Sequence, residues 1–322
     1  MSANGSAVNT ASAVTGVDTH SFPAYQWYSL DGDVLAGSRH THASEAIVAS
    51  NASTGERLFK IADAFAPVVL ADGSKVGFLP DRFGHRDPWF ASVWLRNAAG
   101  RERAVVRFAG KHATVNPKDF EGEGIPLDES WSADGSTLAV TFGNDVDLFI
   151  YDLWVVDTRT RTATRVTKGH VSRFPSLSPS GERLAFLRET ENCGGPDPGY
   201  RTGDLRIVEL GSDTRSTLSE GDCDTWLTDP QWISEDELLA ARLTRTAPGI
   251  YDVDLVRVDA TTGVATLLVS DISSFTASAD EQLVAYTTAS SVGGFVVRPI
   301  SSATTTPFGG YYPVLSGAHQ QV

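Results

Sequence analysis

The stretch Trp131-Ser132-Ala133-Asp134-Gly135-Ser136-Thr137-Leu138-Ala139-Val140 constrains the fold more than any other part of the chain. An apolar anchor leads into a tight Asp-Gly turn and then an alternating apolar run, so a strand, a reversal and a second strand occupy ten residues. The phrase returns along the chain behind the anchors Tyr28, Val69, Trp131, Leu177, Trp232 and Thr276, each seven residues before the first core residue of the next strand. The turns read Leu30-Asp31-Gly32, Ala71-Asp72-Gly73, Ala133-Asp134-Gly135, Pro179-Ser180-Gly181, Ser234-Glu235-Asp236 and Ser278-Ala279-Asp280. The strands that follow begin Leu35-Ala36, Val76-Gly77-Phe78, Leu138-Ala139-Val140, Leu184-Ala185-Phe186, Leu239-Ala240-Ala241 and Leu283-Val284-Ala285. Self-similarity at intervals of 41 to 62 residues marks a repeat protein.

The second half of each copy adds another pair of strands around a polar turn. Ala46-Ile47-Val48 leads to Asn51-Ala52-Ser53-Thr54-Gly55, Leu153-Trp154-Val155 to Thr158-Arg159-Thr160, Leu205-Arg206-Ile207 to Gly211-Ser212-Asp213, and Leu255-Val256-Arg257 to Thr261-Thr262-Gly263. No segment carries helical periodicity. The pattern predicts an all-β chain, a six-bladed β-propeller of four-stranded antiparallel blades. Seven blades is the alternative, because Tyr312-Pro313-Val314-Leu315 resembles the start of a further copy. Residues 1–20 read as a flexible leader and residues 21–322 as a single propeller domain.

The phrase resembles the repeat of WD-like, TolB-type β-propellers, Pro-x-Trp-Ser-Pro-Asp-Gly followed by a Leu-Ala-Phe strand. The best matches are the opening stretch and Phe174-Pro175-Ser176-Leu177-Ser178-Pro179-Ser180-Gly181 with its strand Leu184-Ala185-Phe186; Pro67 and Pro230 hold the same leading place, while Gln26, Glu129 and Ser274 replace it. The resemblance runs from Phe22 to Phe308 and implies a fold rather than a chemistry, because such blades serve binding proteins, peptidase gates and lyases alike.

In such a blade the Asp-Gly and Thr-Gly turns share one end, which leaves the longer connections at the other, where a binding pocket is expected. This long-loop face is predicted to carry 38–42, 80–90, 111–129, 143–147, 168–170, 189–204 and 220–229. Five of the seven histidines fall there: His40, His42, His85, His112 and His170. Polar loops hold histidine for no special reason, so a solvated role stands beside a functional one. In the functional reading His85 and His170 act as acid–base groups with Arg86, and Arg39, Arg82, Trp89 and His112 bind ligand. His40 and His42, two apart in an extended segment, can reach one divalent metal, the one cofactor the sequence raises. Asp145, Asp147 and Asp152 offer carboxylates for calcium but lack the glycine and terminal glutamate of an EF-hand loop.

Lys plus Arg of 26 against Asp plus Glu of 40 gives a net charge of −14, which repels phosphate backbones and argues against nucleic acid as a partner. No apolar run is long enough to span a membrane. Cys193 and Cys223 fall on adjacent connections of the long-loop face, where a disulfide is reasonable, worth about 3 kcal/mol and pointing to a secreted or periplasmic protein. No Gly-x-Ser-x-Gly elbow, phosphate loop or dinucleotide fingerprint occurs. Two functions remain: a stand-alone propeller binding a peptide, protein or glycan, or a lyase, cyclase or hydrolase with chemistry at the channel mouth.

Overall fold

The computed structural model describes residues 28–31, 34–41, 44–51, 56–70, 74–80, 92–107, 124–144, 151–168, 172–192, 201–247, 250–277, 283–288 and 296–300. Among them every regular element is a strand, and every strand pair is antiparallel. The first sheet is β1 (Tyr28–Asp31), β2 (Val34–Thr41), β3 (Ser44–Asn51) and β4 (Arg57–Ala62). The second is β5 (Ala64–Leu70), β6 (Lys75–Pro80), β7 (Ser92–Asn97) and β8 (Glu102–Arg107). The third is β9 (Gly124–Trp131), β10 (Thr137–Asn144), β11 (Tyr151–Asp157) and β12 (Thr162–Arg165), and the fourth β13 (Ser172–Leu177), β14 (Arg183–Asn192), β15 (Arg201–Glu209) and β16 (Thr214–Ser219). The fifth is β17 (Thr225–Trp232), β18 (Glu237–Ala247), β19 (Ile250–Asp259) and β20 (Ala265–Val269); a last sheet holds β21 (Ile272–Ala277), β22 (Leu283–Thr288) and β23 (Val296–Pro299). Strands follow chain order within each sheet, as a meander requires.

The first strands of successive sheets pack against one another, β1 on β5, β5 on β9, β9 on β13, β13 on β17 and β17 on β21, and β21 touches β1. They form an inner ring. The second to fifth sheets are buried on both faces, so their second strands read as continuous apolar runs rather than alternations. The period of two still operates, by dividing the run between two interfaces. On β10, Leu138, Val140 and Phe142 pack toward the second sheet, whereas Ala139 packs toward the fourth. On β14, Leu184 and Phe186 face the third sheet and Ala185 the fifth. On β18, Leu238 and Ala240 face the fourth sheet and Leu239 and Ala241 the last.

Polar contacts stitch the inner ring. The residue before the anchor accepts a backbone N–H from the next sheet: Ser130 Oγ from Leu177 (2.9 Å), Ser176 Oγ from Trp232 (3.1 Å) and Gln231 Oε1 from Ala277 (2.8 Å). The Trp232 indole N–H donates to Ser176 O at 2.9 Å. These bonds satisfy buried backbone groups that would otherwise lie unpaired between sheets.

The leading proline has a mechanical role. In β13 and β17 the residue before it, Phe174 or Asp229, takes a positive φ of 53° or 50°, and the ladder skips both residues. A bulge needs no N–H from the proline, and it bends the strand around the ring. In β5 the ladder skips Ala66 and Pro67 in the same way. Where Glu129 stands in that place, residues Asp128 to Trp131 pair regularly and the bulge moves back to Leu127.

Register agrees with the repeat in the second, third and fourth sheets, where Val69 faces Val76, Trp131 faces Leu138 and Leu177 faces Leu184. It differs elsewhere. Trp232 faces Leu238, one residue early, because the turn at 234–236 lacks the left-handed glycine that lengthens its counterparts at Gly135 and Gly181. The anchor place in the last sheet belongs to Ala277, opposite Val284, rather than to polar Thr276. In the first sheet Asp31 already pairs with Val34, which leaves a two-residue turn and sets Tyr28 opposite Gly37. Residues 312–317 lie outside the described residues.

Candidate functional site

The two ends of the ring differ as the repeat predicts, and the long connections are unevenly spread. At the end opposite the Asp-Gly turns, β6 and β7 are separated by 81–91, β8 and β9 by 108–123, β10 and β11 by 145–150, and β14 and β15 by 193–200. At the same end β2 and β3 are joined by 42–43, β4 and β5 by Asp63, and β18 and β19 by 248–249. The longest of these connections, 81–91 and 108–123, belong to the second sheet and its link to the third, and 289–295 separates β22 and β23 of the last sheet at the same end.

Of the site residues expected from sequence, His42, Arg82, His85, Arg86, Trp89, His112 and His170 lie outside the described residues, as do Asp145, Asp147 and Cys193. Arg39 and His40 do not belong to a loop. They continue β2, with Arg39 opposite Ala46 and His40 opposite Glu45, because the hairpin closes in two residues. Asp152 is buried on β11 and ion-paired with Arg165 of β12, a cation that takes the place calcium would have. No free cysteine occurs among the described residues, and none of them forms a cluster of three His, Cys, Asp or Glu side chains fit for a metal.

The chemistry that the described residues do concentrate is acidic and sits on the inner ring. Asp128 and Glu129 were expected in the connection before the third sheet and Asp229 in the one before the fifth; β9 and β17 begin earlier and take all three as strand residues. Alternation separates the first two. Trp131 faces the second sheet, where a Cβ on Gly77 would stand 2.5 Å from its indole nitrogen, and Glu129 shares that side. Burial pushes the Glu129 carboxyl well above the usual range, and interaction with the Trp131 indole offsets only part of the rise. Asp128 and Ser130 face the fourth sheet. There Asp128 stands opposite Thr141 of β10.

Asp229 lies two sheets further on. Burial, then the negative charge of Asp128, raise its carboxyl to about 7, while a hydrogen bond from the Gln231 side chain opposes them. Two carboxylates from non-adjacent sheets therefore sense each other across β13. Between them Arg173 of β13 pairs with Glu189 of β14 at 3.7 Å, both side chains largely buried. The hydroxyls of Thr141 and Ser172, each fully buried, have no hydrogen-bond partner. The sequence held one signal for this site, an acid in the leading-proline place of the third copy. Nothing local marked Asp229.

A separate open groove of about 610 Å³ lies at the short-turn end between the third and fourth sheets, lined by Thr137, Asp157, Gly181, Glu182, Glu209 and neighbouring residues. Asp157 spends its carboxylate on the turn N–H groups of Arg159 and Thr160, which lowers its pKa. The groove carries no convergent reactive groups.

Among the described residues no helix is long and apolar enough to cross a membrane. No protein-family model matches the chain, and no curated protein sequence does. Solved structures match by fold. The tricorn protease aligns over 86% of this chain and 29% of its own, at 14% identity and a TM-score of 0.57. TolB from Acinetobacter baumannii aligns over 85% of this chain and 60% of its own, at 14% identity and a TM-score of 0.54. An oligogalacturonate lyase from Vibrio parahaemolyticus aligns over 91% of this chain and 80% of its own, at 11% identity and a TM-score of 0.60. The chain thus spans less than two thirds of the first two, and identities this low speak for fold alone. The fold is that of a TolB-type β-propeller.

Proposed function

We propose that this chain is a six-bladed propeller that binds a peptide, protein or glycan at the end where its long connections gather. The observation that carries the reading is the asymmetry of those connections: the longest, 81–91 and 108–123, join strands at one end of the second and third sheets, whereas 42–43 and 248–249 at the same end are two residues each. Loops held by a rigid scaffold are the usual place for recognition. Contact between β21 and β1 supports the blade count. On this reading Arg39, Arg82, Trp89 and His112 contact ligand, and His40 with His42 is the place to seek a metal. Residues 1–20 are a leader to one domain, 21–322. Cys193 and Cys223 are bonded and the protein is exported; the lack of a free cysteine among the described residues supports this.

The enzyme reading has one observation in its favour, a buried carboxyl at about 7 on the ring, which is where an acid–base group works near neutral pH. In that case His85, His170 and Arg86 are its partners. The likeness to an oligogalacturonate lyase makes an acidic polysaccharide the first substrate to try.

Replacing 81–91 and 108–123 with short Gly-containing turns tests the binding reading. Captures from peptide and glycan arrays are expected to disappear while the melting temperature stays within a few degrees; captures that persist unchanged overturn it. Turnover of polygalacturonate by the intact chain, lost in His85→Ala and His170→Ala, would establish the enzyme instead.

A further inference from the structure

We propose that the outer edge of the fifth sheet, the strand β20, pairs with β20 of a second copy of this chain, antiparallel and across a two-fold axis at Leu267. The contact is independent of any ligand at the loop end.

The outer strand of a sheet leaves one row of backbone N–H and C=O groups open, a template for another strand, and soluble proteins guard such edges with charge or proline. Here the guard is legible strand by strand. β4, β8, β12 and β16 carry Lys60, Arg103, Arg165 and Arg215, and β23, the outermost described strand of the last sheet, carries Arg298 beside Pro299. β20, Ala265-Thr266-Leu267-Leu268-Val269, has neither a charge nor a proline. A bulge does not replace the missing guard, because guarded strands have it too: the ladder skips Leu268 in β20 just as it skips Leu58 in β4, Val105 in β8 and Leu218 in β16.

Exposure is a separate observation. Among the described residues four large hydrophobic side chains are exposed, and two of them, Val264 at 62% and Leu267 at 49%, lie together on this edge. A single exposed apolar residue is ordinary on a soluble protein. Two beside an open, uncharged ladder make a surface fit for contact. No described strand occupies the far side of β20.

The occupant follows from charge. The chain carries −14 overall, so two copies approach closely only through a patch where charge does not meet charge. Between Thr261 and Asp271 the one ionisable side chain is Asp271 itself. In an antiparallel pair centred on Leu267, Ala265 faces Val269, Thr266 faces Leu268, and Asp271 of each copy faces Gly263 of the other. The two Asp271 residues then stand about 27 Å apart along the ladder, well beyond the screening length in physiological salt. A parallel pair would set them side by side. The opposition that remains is between Asp271 of one copy and Asp259 of the other, whose carboxylate is engaged by the turn N–H groups of Thr261 and Thr262. An isologous contact of this kind closes at two copies. Its edge is five residues long, smaller than a standard interface of about 800 Å² per partner, so the dimer is weak.

Sedimentation velocity of the intact chain from about 1 to 200 μM tests it. The wild type should show a monomer–dimer equilibrium with Kd in the micromolar range, tightening about twofold or more between ~0.1 and ~0.5 M salt as Asp271 and Asp259 are screened. Leu267→Lys should raise Kd about tenfold or more, and so should Thr266→Lys at its exposed position. Leu58→Lys, on the guarded edge β4, should leave it unchanged. Each lysine makes the chain less acidic, so weaker association reports the edge rather than overall repulsion. Leu267→Cys should cross-link to its mate under mild oxidation, whereas Val264→Cys, about 20 Å from its mate in this register, should not. A chain that stays monomeric overturns the proposal, as does a dimer that weakens with salt, survives both edge lysines, is lost equally in Leu58→Lys, or cross-links as readily through 264 as through 267.

Discussion

The Trp131 indole lies so close over Gly77 that a Cβ there would stand 2.5 Å from its nitrogen and 2.7 Å from Cε2. The glycine is in the second strand of one sheet and the tryptophan ends the first strand of the next, so this single contact sets the spacing between two blades. Tryptophan at the anchor place and glycine opposite it are two halves of one packing solution. At the next interface the anchor is the smaller Leu177, which shares a core cluster with Ala139 in the place that corresponds to Gly77.

Gly77→Ala should therefore be costly. The indole is enclosed and cannot step aside, so overpacking of about 1–3 kcal/mol is expected, read from the midpoint of chemical denaturation. Gly211→Ala, where nothing lies within 4 Å, should change stability by less than about 0.5 kcal/mol.

Ser176 serves Trp232 twice, through Oγ to the backbone N–H and through its carbonyl to the indole N–H. Ser176→Ala removes the first partner and leaves a buried N–H unpaired, a loss of about 1–3 kcal/mol. Trp232→Phe should cost a similar amount through the indole. The double variant should lose less than the sum, because both changes loosen one interface.

The Asp134 carboxylate caps its turn. Hydrogen bonds from Ser136, then Ser132, with Arg159 nearby, pull its pKa down to about 2. Its folded value is below the ordinary one near 3.8, so the stabilisation is present above that value and is lost as pH falls toward 2. Asp134→Ala should lower stability by about 0.5–1 kcal/mol at pH 7, allowing for solvent screening, and the gap from wild type should close between pH 4 and pH 2.

Asp229 behaves in the opposite sense. Its folded pKa of about 7 is above the ordinary 3.8, so the folded chain holds the proton more tightly and stability declines as pH rises from about 4 to 7. Asp229→Asn should remove that decline and be more stable than wild type at pH 8, on the order of 2 kcal/mol. Thermal melts across this pH range decide it.

The repeat made the strands legible because each blade is built from local pairings: an anchor, a turn, an apolar run. Leu138-Ala139-Val140 announces a strand whatever surrounds it. Register was less secure where the turn departed from Asp-Gly, since at 234–236 and 278–280 the turn fixes which residues face each other. His40 belongs to β2, and Asp128, Glu129 and Asp229 belong to β9 and β17, because these strands extend into segments whose polar composition reads as loop.

By itself the sequence determined the fold class, the strand order and the end of the molecule at which length accumulates, because these depend on contacts between residues close in the chain. Only the tertiary structure decided that the charge of Asp128 acts on Asp229, a hundred residues away in the chain, and that the Thr141 and Ser172 hydroxyls are buried without partners. The reason is closure. Side chains on the first strands acquire neighbours only when the sheets come round into a ring, and no local pattern records which ones they will be.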